Sequence, residues 1–300
     1  MKRIYIILGI IFLVFFGLGI YIQQGLFKKA DKAATFTVDE GQGTRDIASN
    51  LKKENLISSP MLFSLYVYQR HWFLQPGVYA IGSSMSAAQI ASLLHEGKVQ
   101  EYVVTIPEGW RVTQIDEYLA KKGIIKKGEL TQIASADEGY LFPNTYKFPL
   151  NVTAEEIRTA MIDNFNKKTA GMNLTSQDII IASIVEREAK FDEDRPKIAG
   201  VYLNRLALKM KLEADPTIQY ALGSWEPITV ADYHSVQSPY NTYLHEGLPP
   251  GSICNPSLKS IEATIHPERD SYLYFFTKSD GHAVFSKTQQ EQTENLKKYQ

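Results

Sequence analysis

The stretch IIIASIVEREAKF, residues 179–191, carries two glutamates two positions apart in a run of branched aliphatic side chains. On a helical wheel of about 100° per residue, Glu188 falls on the face of Ile181, Ile184 and Val185. Glu186 joins Ile179, Ser183 and Lys190 at the edge of that arc, and Arg187 points farther out. Glu188 is therefore the acid expected to face inward. An inward carboxyl group has two uses. It can be a structural acid bonded to a partner, for which Arg205 is the candidate. Alternatively it lines a cleft where partial desolvation raises its pKa into the range of a general acid. The helix alone leaves both open.

The surrounding chain points to a sugar. EGYLFPNTYKFP (138–149) offers Tyr140, Phe142, Asn144 and Tyr146, and SPYNTY offers Tyr240, Asn241 and Tyr243. Aromatic faces stack on pyranose rings, and amides and hydroxyls read sugar hydroxyl and N-acetyl groups; Tyr140 and Phe142 fit a core role equally well. His234, His245 and His266 lack the spacing of a zinc-binding helix, and no nucleotide-binding loop or serine-hydrolase elbow is present. No metal and no cofactor are expected. Cys254 is the only cysteine, so it has no internal disulfide partner, and it reads as a small loop residue.

These groups must be carried by mixed elements, and the expected class is α+β. Three helices frame the acid: 153–168 with Thr153 as N-cap, 176–190 capped by Thr175 with Asp178 in its first turn, and 194–210 with Asp194 as cap and Pro196 in the first turn. An aromatic strand (271–278), its hairpin partner GHAVFS and a last helix follow loop-rich sequence. Upstream, VDEGQGTRDIASNLKKENLI (38–57) matches IPEGWRVTQIDEYLAKKGII (106–125) at an offset of 68, so Gly41 aligns with Gly109 and Leu51 with Leu119. Each copy reads as strand, Glu-Gly turn and amphipathic helix, with the glycines there for turn geometry. The first copy, with the strand and helix that follow it, resembles LysM-like folds that grip glycans.

Ile4–Ile22 is 19 residues without a charge, the length that crosses roughly 30 Å of hydrocarbon as a helix. It exceeds the apolar core of a secretory signal and lacks a small-residue cleavage site, so it reads as a single-pass anchor followed by a polar linker (23–35). Residues 1–32 carry a net charge of +4 and the remainder −5, which argues against a nucleic-acid partner. The short Met1 end is placed in the cytoplasm and the body outside it.

Taken together, YLFPNTY, ASIVEREA, GVYLNRL, DPTIQYALG and YNTY…GLPPGSICNP, in that order, resemble the endolytic murein transglycosylases, also called MltG or YceG-like proteins. The resemblance covers essentially the whole chain. It implies an anchor at 1–34, a LysM-like subdomain at 35–101 and a catalytic domain at 102–300, in a protein of the cytoplasmic membrane. The implied reaction is cleavage of the β-1,4 bond between N-acetylmuramic acid and N-acetylglucosamine of peptidoglycan, leaving a 1,6-anhydro end, without metal or cofactor. The family's catalytic glutamate falls on Glu188. Asn144, Tyr146, Asp215, Gln219, Tyr240, Asn241, Thr242 and Tyr243 fall on candidate substrate-binding positions. Implied partners are glycan strands, the cytoplasmic membrane and peptidoglycan synthases. A non-catalytic wall-binding scaffold is the competing reading.

Overall fold

A computed structural model describes residues 2–30 and 32–299, with side chains from residue 9 onward. Met1, placed at the cytoplasmic end above, and Asp31 of the expected linker lie outside the described residues. The chain is α+β and divides into two compact units, one of Met1–Tyr102 with Lys147–Asn151 and one of Val103–Tyr146 with Val152–Gln300.

The first unit begins with α1 (Lys2–Phe27), in which Gly9–Phe27 is long and apolar enough to cross a membrane. It continues with β1 (Ala34–Val38), α2 (Thr44–Lys53), α3 (Pro60–Gln69), β2 (Gly77–Ile81) and α4 (Ala87–Glu96). β1 and β2 pair antiparallel, Ala34 opposite Ile81 and Val38 opposite Gly77, giving the order β-α-α-β. Phe36, Ile47, Leu51, Phe63, Tyr79 and Ile90 fill the core beneath. The expected linker is not free chain. The helix runs on to Phe27 because nothing in Gln23–Phe27 breaks it, Leu26 and Ala30 are buried, and the Ala30 amide donates to the Met85 carbonyl at 2.8 Å.

The second unit receives most of β3 (Glu101–Thr105), then α5 (Val112–Lys121), α6 (Glu129–Ala134), part of β4 (Thr145–Pro149) and α7 (Ala154–Lys168). It continues with α8 (Ser176–Glu188), α9 (Arg195–Ala207), α10 (Asp215–Leu222), α11 (Asp232–Ser235) and α12 (Leu258–Ile265). The hairpin of β5 (Tyr274–Thr277) with β6 (Ala283–Ser286) and α13 (Gln289–Tyr299) complete it. Thr153 and Thr175 cap α7 and α8 with reciprocal bonds to Glu156 and Asp178. Asp194 precedes α9 but caps nothing; its carboxylate accepts from the Ala283 amide at 3.0 Å and so ties α9 to the hairpin.

Both copies of the repeat adopt the same turn, with Gly41 and Gly109 at φ 76° and 73°, the left-handed region that favours glycine. Gly109 also packs closely against the side chains of Arg187 and Glu186, so the second copy supports the acidic helix.

Candidate active site

α8 is the central helix of its unit. Ile181, Ile184 and Val185 pack against Ile198, Ala199 and Tyr202 of α9, while Ile179 and Ala182 meet Phe142, Phe165 and Ile261. The middle of the helix, Ile179 to Val185, is therefore packed on two faces. Glu186 and Glu188 leave it in different directions into different surroundings.

Glu188 is the last residue of α8, and the chain continues from it extended at Ala189. The Tyr202 hydroxyl donates to its Oε1 at 2.7 Å. The half-buried carboxyl lines a cavity of about 310 Å³ shared with Tyr202, Arg205, Asp215, Tyr243 and Phe275. Burial pushes its pKa from 4.5 up to about 7; the Tyr202 hydrogen bond opposes this, the Asp215 charge adds to it and Arg205 opposes it. At neutral pH a large fraction of Glu188 holds its proton. Arg205 is not its partner, contrary to the expectation from sequence. The guanidinium donates to the carbonyls of Leu273 and Leu212 at 2.6 and 2.9 Å and to Glu213 at 3.0 Å, because its position on α9 carries it to the base of the hairpin.

Asp215 opens α10 and faces the same cavity, its Oδ1 accepting from the Tyr243 hydroxyl at 2.6 Å. Tyr243 is held by stacking on Tyr233, ring centres 4.0 Å apart. Burial, then the Asp215 contact, lift its hydroxyl pKa well above the usual value, so it stays a donor.

Glu186 corrects the wheel reading. Its side chain is only 6% exposed, and its Oε2 accepts from the Ser257 amide at 2.9 Å, the Ser257 and Ser260 hydroxyls at 2.6 and 2.7 Å, and Arg195 at 3.3 Å. The edge of the apolar arc lies under α12, so the residue placed at the margin is the structural acid.

The remaining predicted positions divide by location. Asn241 is fully buried; its Nδ2 donates to the carbonyls of Tyr233 and Val236 and its Oδ1 accepts from the Tyr243 amide, so it shapes the loop that presents Tyr243. Thr242 accepts from the Ala214 amide at 3.0 Å and meets Thr217, fixing the entry to α10. Gln219 donates to the carbonyls of Trp225 and Glu226, and Tyr240 packs on Tyr220. Asn144 is exposed beside β4, and the buried Tyr146 donates to the Phe142 carbonyl and accepts from Asn164. None of these six lines the Glu188 cavity. Cys254 is buried and donates to the Ser183 carbonyl.

Two titratable groups, one at the Glu188 cavity and one in another, were not singled out from sequence. Tyr202 lies on the apolar face of α9, and a tyrosine in such a stripe needs a partner for its hydroxyl, which is the signal that could have found it. Glu138 precedes Gly139 in another Glu-Gly pair. Its carboxyl accepts from the Val112 amide and Asn255, and burial pushes its pKa up to about 8. It lines a separate cavity of about 500 Å³ with Arg111, Gln114 and Tyr220.

A half-buried acid poised near neutrality, sharing a cavity with a second carboxylate and two tyrosines, has the chemistry of a general acid. The model of the YceG-like family matches residues 36–298, and the chain belongs to that family. It is 34% identical to the "Endolytic murein transglycosylase" of Bacillus subtilis strain 168, over 91% of this chain and 86% of that protein. It is 29% identical to the protein of the same name from Streptococcus pneumoniae strain D39, covering 88% of this chain but 58% of that longer protein. The crystal structure of a yceG-like protein from Listeria monocytogenes has 31% sequence identity and a TM-score of 0.56, covering 88% of this chain and 99% of that one.

Proposed function

We propose that this chain is a membrane-anchored endolytic transglycosylase that cuts peptidoglycan strands between N-acetylmuramic acid and N-acetylglucosamine and so limits strand length. The observation that carries the reading is Glu188, a carboxyl with its pKa near 7 inside a cavity. Protonated Glu188 donates to the glycosidic oxygen as the C1–O bond breaks and positive charge develops on the muramoyl ring. The Asp215 carboxylate, held by Tyr243, offsets that charge. Glu188, now a carboxylate, takes the proton of the C6 hydroxyl, whose oxygen closes on C1 to give the 1,6-anhydro ring. No water is consumed. Residues 102–300 supply this chemistry, the LysM-like stretch 35–101 grips glycan, and α1 holds the chain at the cytoplasmic membrane with its body outside, within reach of peptidoglycan synthases.

Asp215 also favours a second reading, in which it activates a water and the product is a hydrolysed reducing end. Mass spectrometry of products formed in ¹⁸O-water separates the two. The expected result is anhydro-muramoyl ends without ¹⁸O, retained at reduced rate in Asp215→Asn. Labelled reducing ends that vanish in Asp215→Asn establish hydrolysis instead. Strands that bind but release no fragments would leave a wall-binding scaffold.

Tyr202→Phe provides a further check. Its hydroxyl stabilises the ionised form of Glu188, so its removal lets the carboxyl hold its proton to higher pH. The basic limb of the kcat/KM profile is expected to move upward; an unmoved or lowered limb contradicts the assignment of Glu188 as acid.

A further inference from the structure

α3, PMLFSLYVYQ, was not anticipated from sequence because it has no polar face to set a period. Leu62, Phe63 and Val67 are buried on one side. Met61, Leu65 and Tyr68, spaced by four and three, form a stripe on the other side and are 66%, 49% and 51% exposed. A helix apolar all round is normally enclosed by protein or by lipid.

Its neighbours say which. Ser59 Oγ, at the N-cap of α3, lies 3.5 Å from the hydroxyl of Tyr21 on α1. One turn on, Leu62 fills the space over Gly25, where any larger residue would collide with it. Farther on, Phe27 and Lys29 share a cavity of about 580 Å³ with Tyr66, Arg70 and Trp72. α3 therefore climbs beside the last turns of α1 in the same direction. At the top, the Arg70 guanidinium lies over the rings of Tyr66 and Trp72, 4.5 and 5.1 Å from their centres. Among the described residues, no carboxylate lies within ion-pair distance of Lys29 or Arg70. Apolar residues below, aromatic rings between and unpaired cations above match the succession of acyl chain, interface and phosphate in a phospholipid leaflet.

We propose that α3 is a second membrane-contacting element, a wedge whose Met61–Leu65–Tyr68 stripe enters the phospholipid leaflet on the side of the body, with Lys29 and Arg70 among the phosphates. The proposal rests on the reading of α1 as a membrane span. At 1.5 Å per residue, Met61 lies about 10 Å deeper than Tyr68.

The test uses the full chain in vesicles of phosphatidylcholine and phosphatidylglycerol, with a fluorophore on a single cysteine introduced as Met61→Cys, Leu65→Cys or Tyr68→Cys. The native Cys254 is fully buried, and the unsubstituted chain controls for its labelling. Spin-labelled lipids quench from the headgroup, the top of the acyl chain or its end. Labels at 61 and 65 are expected to lose most fluorescence to the acyl-top quencher and the label at 68 to the headgroup quencher. A label on the exposed Lys98→Cys, beside Val99 that packs on Gly77 at the end of β2 opposite the Met85–Ala30 contact, is expected to lose none. Phe15→Cys, in the middle of α1, reports on the span itself through the chain-end quencher. Quenching at 15 with positions 61 and 65 as unresponsive as 98 overturns the wedge alone; no quenching at 15 overturns the span and the wedge with it.

Discussion

Replacing Glu188 with glutamine is expected to lower strand cleavage by roughly 10²–10⁴-fold, the usual loss when a general acid is removed, in a chain that still folds. Glutamine keeps an oxygen to accept the Tyr202 hydroxyl but has no proton of suitable acidity to give. The same variant carries a stability signature that separates it from a misfolded protein. Unfolded, this glutamate ionises near 4.5; folded, near 7. The folded state therefore binds the extra proton, and stability is withdrawn as pH climbs through that interval, with the deficit complete above it. Glutamine has no such deficit. The Tm of Glu188→Gln should lie above that of the native chain at pH 8, and the difference should close as pH falls to 4.5. Fragment release and thermal melts at the two pH values provide the check. Cleavage within a few-fold of native would sink the catalytic assignment.

Replacing Glu186 with alanine should produce the opposite pattern, a loss of stability of about 3 kcal/mol or more, typical of removing one partner of a buried ion pair. Its Oε2 is the acceptor for an amide, two hydroxyls and Arg195. Arg195, with a side chain 9% exposed, would keep only the half-exposed Asp192 as counter-charge. The serine donors at the start of α12 would lose their acceptor in a space where water has little room. Urea unfolding gives the number directly. A loss below about 1 kcal/mol, the range of surface pairs, would mean that the arginine and serines re-pair and that Glu186 is not a keystone of the α8–α12 contact.

These two residues also mark where the sequence stops being informative. Local signals were readable: the threonine caps with their acidic partners, the hairpin near the C-terminus, the repeat with its left-handed glycines and the apolar run of α1. The identity of the cavity acid was readable too, because Glu188 shares the stripe of Ile181 and Ile184. A wheel gives angles about one helix and says nothing of how many neighbours surround it, so it could not reveal that α12 covers the Glu186 edge. The same limit hid Tyr202 as the partner of Glu188 and sent Arg205 to the wrong acid. It also merged two kinds of residue in YNTY: Tyr243 reaches the cavity, whereas Asn241 and Thr242 hold the loop that brings it there. The polar-aromatic segments pointed to a site, but long-range packing decided which of their side chains face it.

The end of α8 has one more consequence. Because the helix stops at Glu188, the acid sits at the pole where unpaired backbone carbonyls gather about half a negative charge. That field disfavours a carboxylate there whichever side chains line the cavity wall. Part of the acid's reluctance to ionise is therefore written into chain geometry, and it would persist through substitutions of the surrounding residues. Only a shift of the helix terminus past Glu188, by even one turn, would remove it.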